Sequence, residues 1–373
     1  MKLIYKILFA FSLAVSFTAC KKALEVEPQQ SIDAGNALEN DQDVNALVVG
    51  AYSVMGGGSL YGTNLLMLAD LQGSDGVATW RGTFTSPRQI ANKTMTRDNA
   101  DANLTWTAAY NAINLANITL NSLDLVKDAD LRTQLEGEAH FIRGIMHFEL
   151  VRFYALPWGA TADNSHLGVP IKIKPTANET EAFEKVPRST VKQVYDLVIA
   201  DLTAAVSLLP EENEKRASKY AAYGFLSRVY LMQSNYVGAL AAADSVIESG
   251  LFRLNASVSA VFSNKNTPES IWEIQQNEQN NAGTANNGMA TFYASLPGIG
   301  RGDVRVVAAY VDTAYPTNDL RQTEWYYEGT GARPGNTYNG KWKSFSQNIP
   351  IIRIAEMYLT RAESNAERDR QHR

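Results

Sequence analysis

The chain has 373 residues, a formal net charge of −5 and a hydrophobic content of 45%, the balance of an ordinary globular protein. Its mild acidity, with no basic stripe to track phosphates, excludes nucleic acid as an expected partner. Cys20 is the one cysteine. An intramolecular disulfide framework and any multi-cysteine metal site are therefore excluded, and the fold has to rest on an apolar core.

Lys2 and Lys6 precede an apolar run from Ile7 to Phe17, which ends in Phe17-Thr18-Ala19-Cys20. The run is shorter than the roughly 20 residues that span a bilayer. Basic residues, a short apolar stretch and a small residue form a secretory leader, expected over residues 1–19. The cysteine that follows resembles a bacterial lipobox, with Phe17 in place of the usual Leu. Cleavage before Cys20 would leave its thiol to carry lipid, palmitate included. Residues 20–40, with Pro28 and Gly35, read as a tether between lipid and fold. No later apolar run reaches spanning length, so the chain is expected to be anchored to a membrane rather than threaded through it.

Val44, Leu47, Val48, Ala51 and Tyr52 recur at helical steps and predict a helix over 41–55, closed by Gly56-Gly57-Gly58. Residues 61–94 are mostly irregular, with a short helix near Leu65 to Asp70, and carry Trp80, Arg81 and Phe84. Long segments of this kind are functional or disordered, and the aromatics argue for function. A helix over 103–126 places Leu104, Ala108, Ile113, Ala116, Leu120 and Leu123 on an apolar side. The next, over 130–154, is apolar on more than half its circumference, as in a helix inside a stack, and Pro157 and Gly159 end it. Pro187 and Ser189 open a helix running to Leu209.

Residues 217–234 and 236–249 form a helical pair separated by Asn235 and closed by Gly250. Large and small apolar residues alternate along it, from Tyr223 and Tyr230 to Ala239 and Ala243, and the pattern resembles a tetratricopeptide repeat. Three or four such pairs would stack over a continuous core, with inserted loops on one face. From Leu251 to Asn348, Gly, Asn, Pro and aromatics dominate, apart from a short strand at Ile271-Trp272-Glu273-Ile274. A last helix runs from Arg353 to about Arg368.

Several segments together resemble the SusD/RagB family of surface lipoproteins. Glu138-Ala139-His140-Phe141-Ile142-Arg143, with Phe148-Glu149-Leu150-Val151-Arg152-Phe153-Tyr154, is similar to the family's signature helix. Val186-Pro187-Arg188-Ser189-Thr190-Val191, Ser270-Ile271-Trp272-Glu273-Ile274, Asp319-Leu320-Arg321 and Ile349-Pro350-Ile351-Ile352-Arg353-Ile354-Ala355-Glu356 resemble further family segments. The resemblance implies a mainly α fold: a SusD-like, tetratricopeptide-type helical platform with a large irregular, loop-rich ligand-binding region and few short strands. It implies an N-terminal region over 41–250 and a C-terminal region over 251–373. It also implies a non-catalytic nutrient binder without cofactor, lipid-anchored at the outer membrane and facing the exterior, which passes oligosaccharide to a TonB-dependent barrel of the SusC type. Family members continue beyond the last helix found here, which implies a truncated reading frame.

Sugar capture needs flat apolar rings against the axial hydrogens of pyranoses and planar polar groups for the hydroxyls. Trp80, Arg81, Trp325, Tyr326, Tyr327 and Trp342 lie on segments without clear periodicity and are the candidate ligand-binding residues. His140 and His147 share a helix face and read as packing residues rather than a metal site. Asp70 and Asp75 are the one carboxylate pair considered for a periplasmic glycosidase. Arg301-Gly302-Asp303 matches a short adhesion motif and reads as a turn. A helical-repeat adhesion or scaffold lipoprotein is the alternative to nutrient capture.

Overall fold

Six helices of the platform begin with a polar side chain that takes up backbone N–H groups of the first turn. In the computed structural model, which describes residues 38–176 and 178–371, Asn40 caps α1 (Asp41–Gly56) and Asn99 caps α4 (Ala100–Asn121). Asp128 caps α5 (Ala129–Tyr154), and Thr190 with Gln193 forms a capping box on α6 (Val191–Leu208). Ser218 and Asn235 do the same for α7 (Lys219–Met232) and α8 (Tyr236–Ile247). Such caps satisfy donors that a helix start leaves open. The leader, Cys20 and the tether up to residue 37 lie outside the described residues.

The stack follows the chain. α4 packs on α1 and α5, α6 on α5, α7 on α6, α8 on α7, and the last helix, α10 (Ile354–Gln371), on α8. This is the tetratricopeptide-type platform anticipated from periodicity. From Gly137 to Val151, α5 is buried at every position except His140, as its apolar circumference requires. The expected α4 face needs a correction. Ile113 and Ala116 are buried as expected, but Leu104 is 50% exposed, while Thr105, Ala109, Ala112 and Thr119 are buried in its stead. The small residues of the neighbouring stripe allow α1 and α5 to approach, so the helix is turned by one position. Proline and serine at 187–189 also stop short of the helix, which starts after Thr190.

Among the described residues, three two-stranded antiparallel sheets tie the irregular part together. β1 (Ala78–Trp80) pairs with β3 (Val304–Val306), β2 (Ser270–Ile274) with β6 (Ile349–Arg353), and β4 (Tyr326–Glu328) with β5 (Thr337–Asn339). The chain adds α2 (Asn64–Gly73) before β1, and α3 (Thr85–Ala91) and α9 (Met289–Tyr293) between β1 and β3. Trp272 on β2 joins this part to the platform. Its ring meets Phe141 at 5.2 Å, Tyr61 at 5.9 Å and Phe225 at 6.0 Å. Beside it, α7 comes so close to β6 that a side chain on Gly224 would stand 2.6 Å from Ile352 Cγ2.

Charges on α5 are buried because each finds a distant partner. Glu138 accepts from Arg216 Nε at 2.6 Å, Arg143 grips Asp201, and Glu149 accepts from Tyr61 Oη at 3.0 Å. Buried charge is tolerated only when paired and hydrogen-bonded in this way.

Candidate functional site

The early loop and the late region meet where β1 pairs with β3, and the Arg81 amide extends that contact by donating to the Asp303 carbonyl at 2.6 Å. Around this seam the structure gathers two aromatic patches. In the first, Trp80 lies 5.5 Å from Phe292 and 6.5 Å from Phe84, with its indole N–H given to the Phe84 carbonyl at 3.1 Å. Trp80 is only 7% exposed, so its ring is a packing element of the loop and not a free platform. Arg81 is exposed beside it. Phe84 is the open ring of this patch, capped by the Arg301 guanidinium at 4.5 Å.

The second patch holds the late candidates. Trp325 is half-buried, anchored by its indole N–H to the Val258 carbonyl at 3.0 Å and edge-on to Phe262 at 6.3 Å. Tyr326 is half-buried on β4, with its hydroxyl 3.4 Å from that of Tyr315. Successive strand residues point to opposite faces, and Tyr327 accordingly turns away. Its hydroxyl accepts from the Ser295 amide at 2.9 Å and its ring lies 6.0 Å from Tyr338. Trp342 is 6% exposed, packed on Phe262 at 5.6 Å. For Trp80 and Trp342 the expectation of sugar-facing rings is corrected: loops of this length carry small cores of their own, and these two tryptophans fill them.

Three further residues complete the second patch: Tyr293 and Lys341, which the sequence reading missed, and Asp70, which it considered only as half of a carboxylate pair with Asp75. Asp70, near the end of α2, accepts from Tyr293 Oη on α9 at 2.6 Å. The Lys341 ammonium sits 4.3 Å from the Trp325 ring centre and 5.2 Å from that of Phe262, a cation–π arrangement. Among the described residues no carboxylate comes within ion-pair reach of it. Asp70, Lys341 and Tyr326 nevertheless act on one another electrostatically. Asp70 touches solvent but is crowded by protein, which raises its carboxyl above the usual range despite the Tyr293 bond. Burial lowers Lys341 to about 8, helped by the neighbouring Arg353. The result is an acid and a base facing the same aromatic ground, each short of an ionic partner. The sequence held one faint signal, the adjacency of Lys341 to Trp342; the Asp70–Tyr293 pairing spans 223 residues and leaves no local trace.

The remaining motifs are occupied otherwise. Asp75 pairs with Lys93 at 2.9 Å while Asp70 is held by Tyr293, so the two carboxylates serve separate contacts. His147 is fully buried. Its Nδ1 donates to the Arg143 carbonyl at 2.9 Å and its Nε2 accepts from the Lys172 amide at 3.3 Å, which fixes a neutral tautomer. Burial lowers its pKa to about 4. His140 Nδ1 is 2.7 Å from Asp201. Both rings are thus committed to protein partners, and no cluster of three metal-ligating side chains occurs among the described residues. Asp303 of the Arg-Gly-Asp tripeptide is buried and paired with Arg301 at 3.0 Å and Arg333 at 3.3 Å, and Gly302 takes a positive φ of 62°; the tripeptide runs as irregular backbone into β3 and not as the turn expected. No described helix is long and apolar enough to cross a membrane.

Comparison with known proteins adds a family to this geometry. Two SusD-like proteins of Formosa agariphila are 27% and 26% identical to the chain, over 66% and 74% of its length. The chain spans about half the length of these relatives, 46% and 52%. A SusD superfamily protein of Bacteroides thetaiotaomicron superposes with a TM-score of 0.79 at 24% identity, covering 88% of this chain and 77% of that one. A laminarin-binding SusD-like protein superposes with a TM-score of 0.71 at 20% identity, covering 88% and 80%. A SusD-like family described as starch-binding and associating with the outer membrane matches residues 23–231. That match takes in more than half of the chain, and the chain belongs to this SusD-like family.

Proposed function

We propose that this protein captures oligosaccharides at the outer membrane and hands them to a TonB-dependent barrel of the SusC type without cleaving them. The observation that carries the reading is the aromatic patch of Tyr315, Trp325 and Tyr326 with the Lys341 ammonium over Trp325 and the Asp70 carboxylate, held by the buried Tyr293, acting on both Lys341 and Tyr326. It offers what a pyranose needs: ring faces for its C–H side, a carboxylate to accept from one hydroxyl and an ammonium to donate to another. The laminarin-binding relative supports a glycan as ligand. Arg81 and the open Phe84 ring at the seam are further candidates for ligand contact. Cys20 is the proposed lipid attachment point, and Cys20→Ala should move the protein from the membrane fraction to the soluble one.

Titration calorimetry over a panel of oligosaccharides, with chromatography of the products, tests the central claim. Trp325→Ala and Tyr326→Ala should each weaken binding about tenfold, or about 1.4 kcal/mol. Unchanged affinity in both variants would remove the patch from consideration, and release of shorter sugars by the wild-type protein would overturn the non-catalytic reading. Copurification of a barrel protein tests the handover.

A further inference from the structure

A hollow of about 250 Å³ opens at the C-terminal end of α5 and shares no residue with either aromatic patch. Arg152 of α5, Leu156, Pro157 and Trp158 of the connection that follows, Tyr195 of α6 and Met232 at the end of α7 border it. Its aromatic wall is braced from behind. The Tyr195 ring meets Phe148 edge-on at 6.0 Å and carries Trp158 at 5.0 Å. The turn that presents Trp158 is tied by the Gly159 amide, which donates to Asn164 Oδ1 at 2.6 Å. Leu156 and Met232 are 64% and 45% exposed and form an apolar rim.

Three polar groups on these walls are left unused by the fold. Tyr195 is 4% exposed, yet its hydroxyl makes no hydrogen bond among the described residues and is not sealed from solvent. The Trp158 indole N–H is open in the same way. Arg152 sets Nη2 against Glu149 at 2.9 Å and has its Nε sealed in the interior, which leaves Nη1 as its free edge. Buried polar groups nearly always have a partner, and here a nine-tenths buried phenol lacks one beside a cavity. Burial pushes the Tyr195 hydroxyl up to about 12, so it keeps its proton and can donate.

The open groups define what they can hold. Guanidinium and indole nitrogens only donate, and a phenol O–H donates as well. Arg152 is the one charged side chain bordering the hollow. Its counter-charge, Glu149, is 2% exposed and accepts from Tyr61 with its other oxygen. The occupant therefore brings acceptors and negative charge, and a planar guanidinium edge suits a carboxylate. Drug-sized ligands fill roughly 300–1,000 Å³, so a hollow of about 250 Å³ takes a single ring and not a chain.

We infer that this hollow binds a single-ring organic carboxylate, with the ring on the apolar rim of Leu156 and Met232 and the carboxylate on Arg152, Tyr195 and Trp158. The site is separate from the proposed oligosaccharide surface and takes a different chemical class.

Calorimetric titration of the full chain tests this with benzoate and glucuronate, each beside its neutral counterpart, benzamide and glucose. The two acids distinguish an aromatic from a sugar source of the same group. At least one acid should bind, about tenfold or more tighter than its neutral counterpart. Tyr195→Phe removes only the unpartnered oxygen, so it should keep the wild-type melting temperature and weaken the acid about tenfold. Met232→Trp fills the hollow from an exposed position and should abolish binding. Failure of both acids to bind, neutral counterparts that match the acids, or an unchanged acid affinity in either variant overturns the proposal.

Discussion

Arg143 reaches from α5 to Asp201 on α6 with two nitrogens, Nε at 2.9 Å and Nη2 at 2.7 Å. The His140 ring closes on the same carboxylate, and Arg143 Nη1 goes on to Asn117 of α4 at 3.1 Å. One side chain thus fixes three helices of the platform in register. Burial pushes the Asp201 carboxyl up, but the bonds from Arg143 and His140 outweigh it and leave it below the usual range. Removing the acid strands a guanidinium in the interior. Asp201→Ala is expected to cost about 3–5 kcal/mol, read as a lower urea midpoint; a midpoint within error of wild type would show the pair to be dispensable.

His147 gives the platform a pH dependence of definite sign. Its folded pKa of about 4 lies below the ordinary 6.5, so the unfolded chain binds the proton first. The stability it contributes is complete above pH 6.5 and declines as the pH falls toward 4. The full span amounts to about 3 kcal/mol. Thermal melts of wild type and His147→Gln from pH 7 to 4.5 should differ in slope, with the glutamine variant flatter. Parallel slopes would mean that the ring is not the responsible group.

Gly224 marks the closest contact of platform and sheet. A methyl group there would meet Ile352 Cγ2 at 2.6 Å, and Ile352 is buried in β6. Gly224→Ala should destabilise by about 1–3 kcal/mol through overpacking. Pairing it with Ile352→Leu, which lacks the Cγ2 branch, should recover part of the loss, a coupling that a double-mutant cycle in urea would reveal.

The tryptophans divide by role. Trp80→Ala opens a cavity in the early loop and should cost about 3–5 kcal/mol of stability. Trp325→Ala should leave the fold largely intact and act on ligand affinity. Lys341→Met removes a desolvated ammonium and keeps an apolar stem over Trp325, so its melting temperature should equal or exceed that of wild type while oligosaccharide affinity falls. A melting temperature that drops with Lys341→Met would argue that the cation–π contact serves folding instead.

Helix positions were legible because core-facing residues repeat at a fixed period, and the caps and Gly250 mark the ends. Periodicity did not reveal which of two adjacent stripes of α4 faces inward, since Thr105 and Ala109 pack by being small while Leu104 looks the more hydrophobic. Strands of three residues, such as β1 and β3, are too short to show alternation. Glu138, Arg143 and Glu149 carry charge in a largely apolar helix and are buried, and nothing local to them shows the partners that other elements supply. The same holds at the second patch, where Trp325 and Tyr326 could be named from their setting. Asp70 and Lys341 acquire meaning only once α2 is laid against the late loops.

The pairing of β1 with β3 bears on how the protein comes to be active during biogenesis. The Asp70–Tyr293 bond and this strand pair join segments separated by more than two hundred residues. Closing so long a loop adds little to the thermodynamic penalty, which grows only with the logarithm of length, but contacts of such separation form slowly. The helices can assemble from local contacts while the nascent chain is still emerging. The proposed sugar-binding face has to await the late segment, so under that proposal oligosaccharide affinity is acquired as the closing event of maturation, and a binding assay on freshly refolded protein should lag behind recovery of helical circular dichroism.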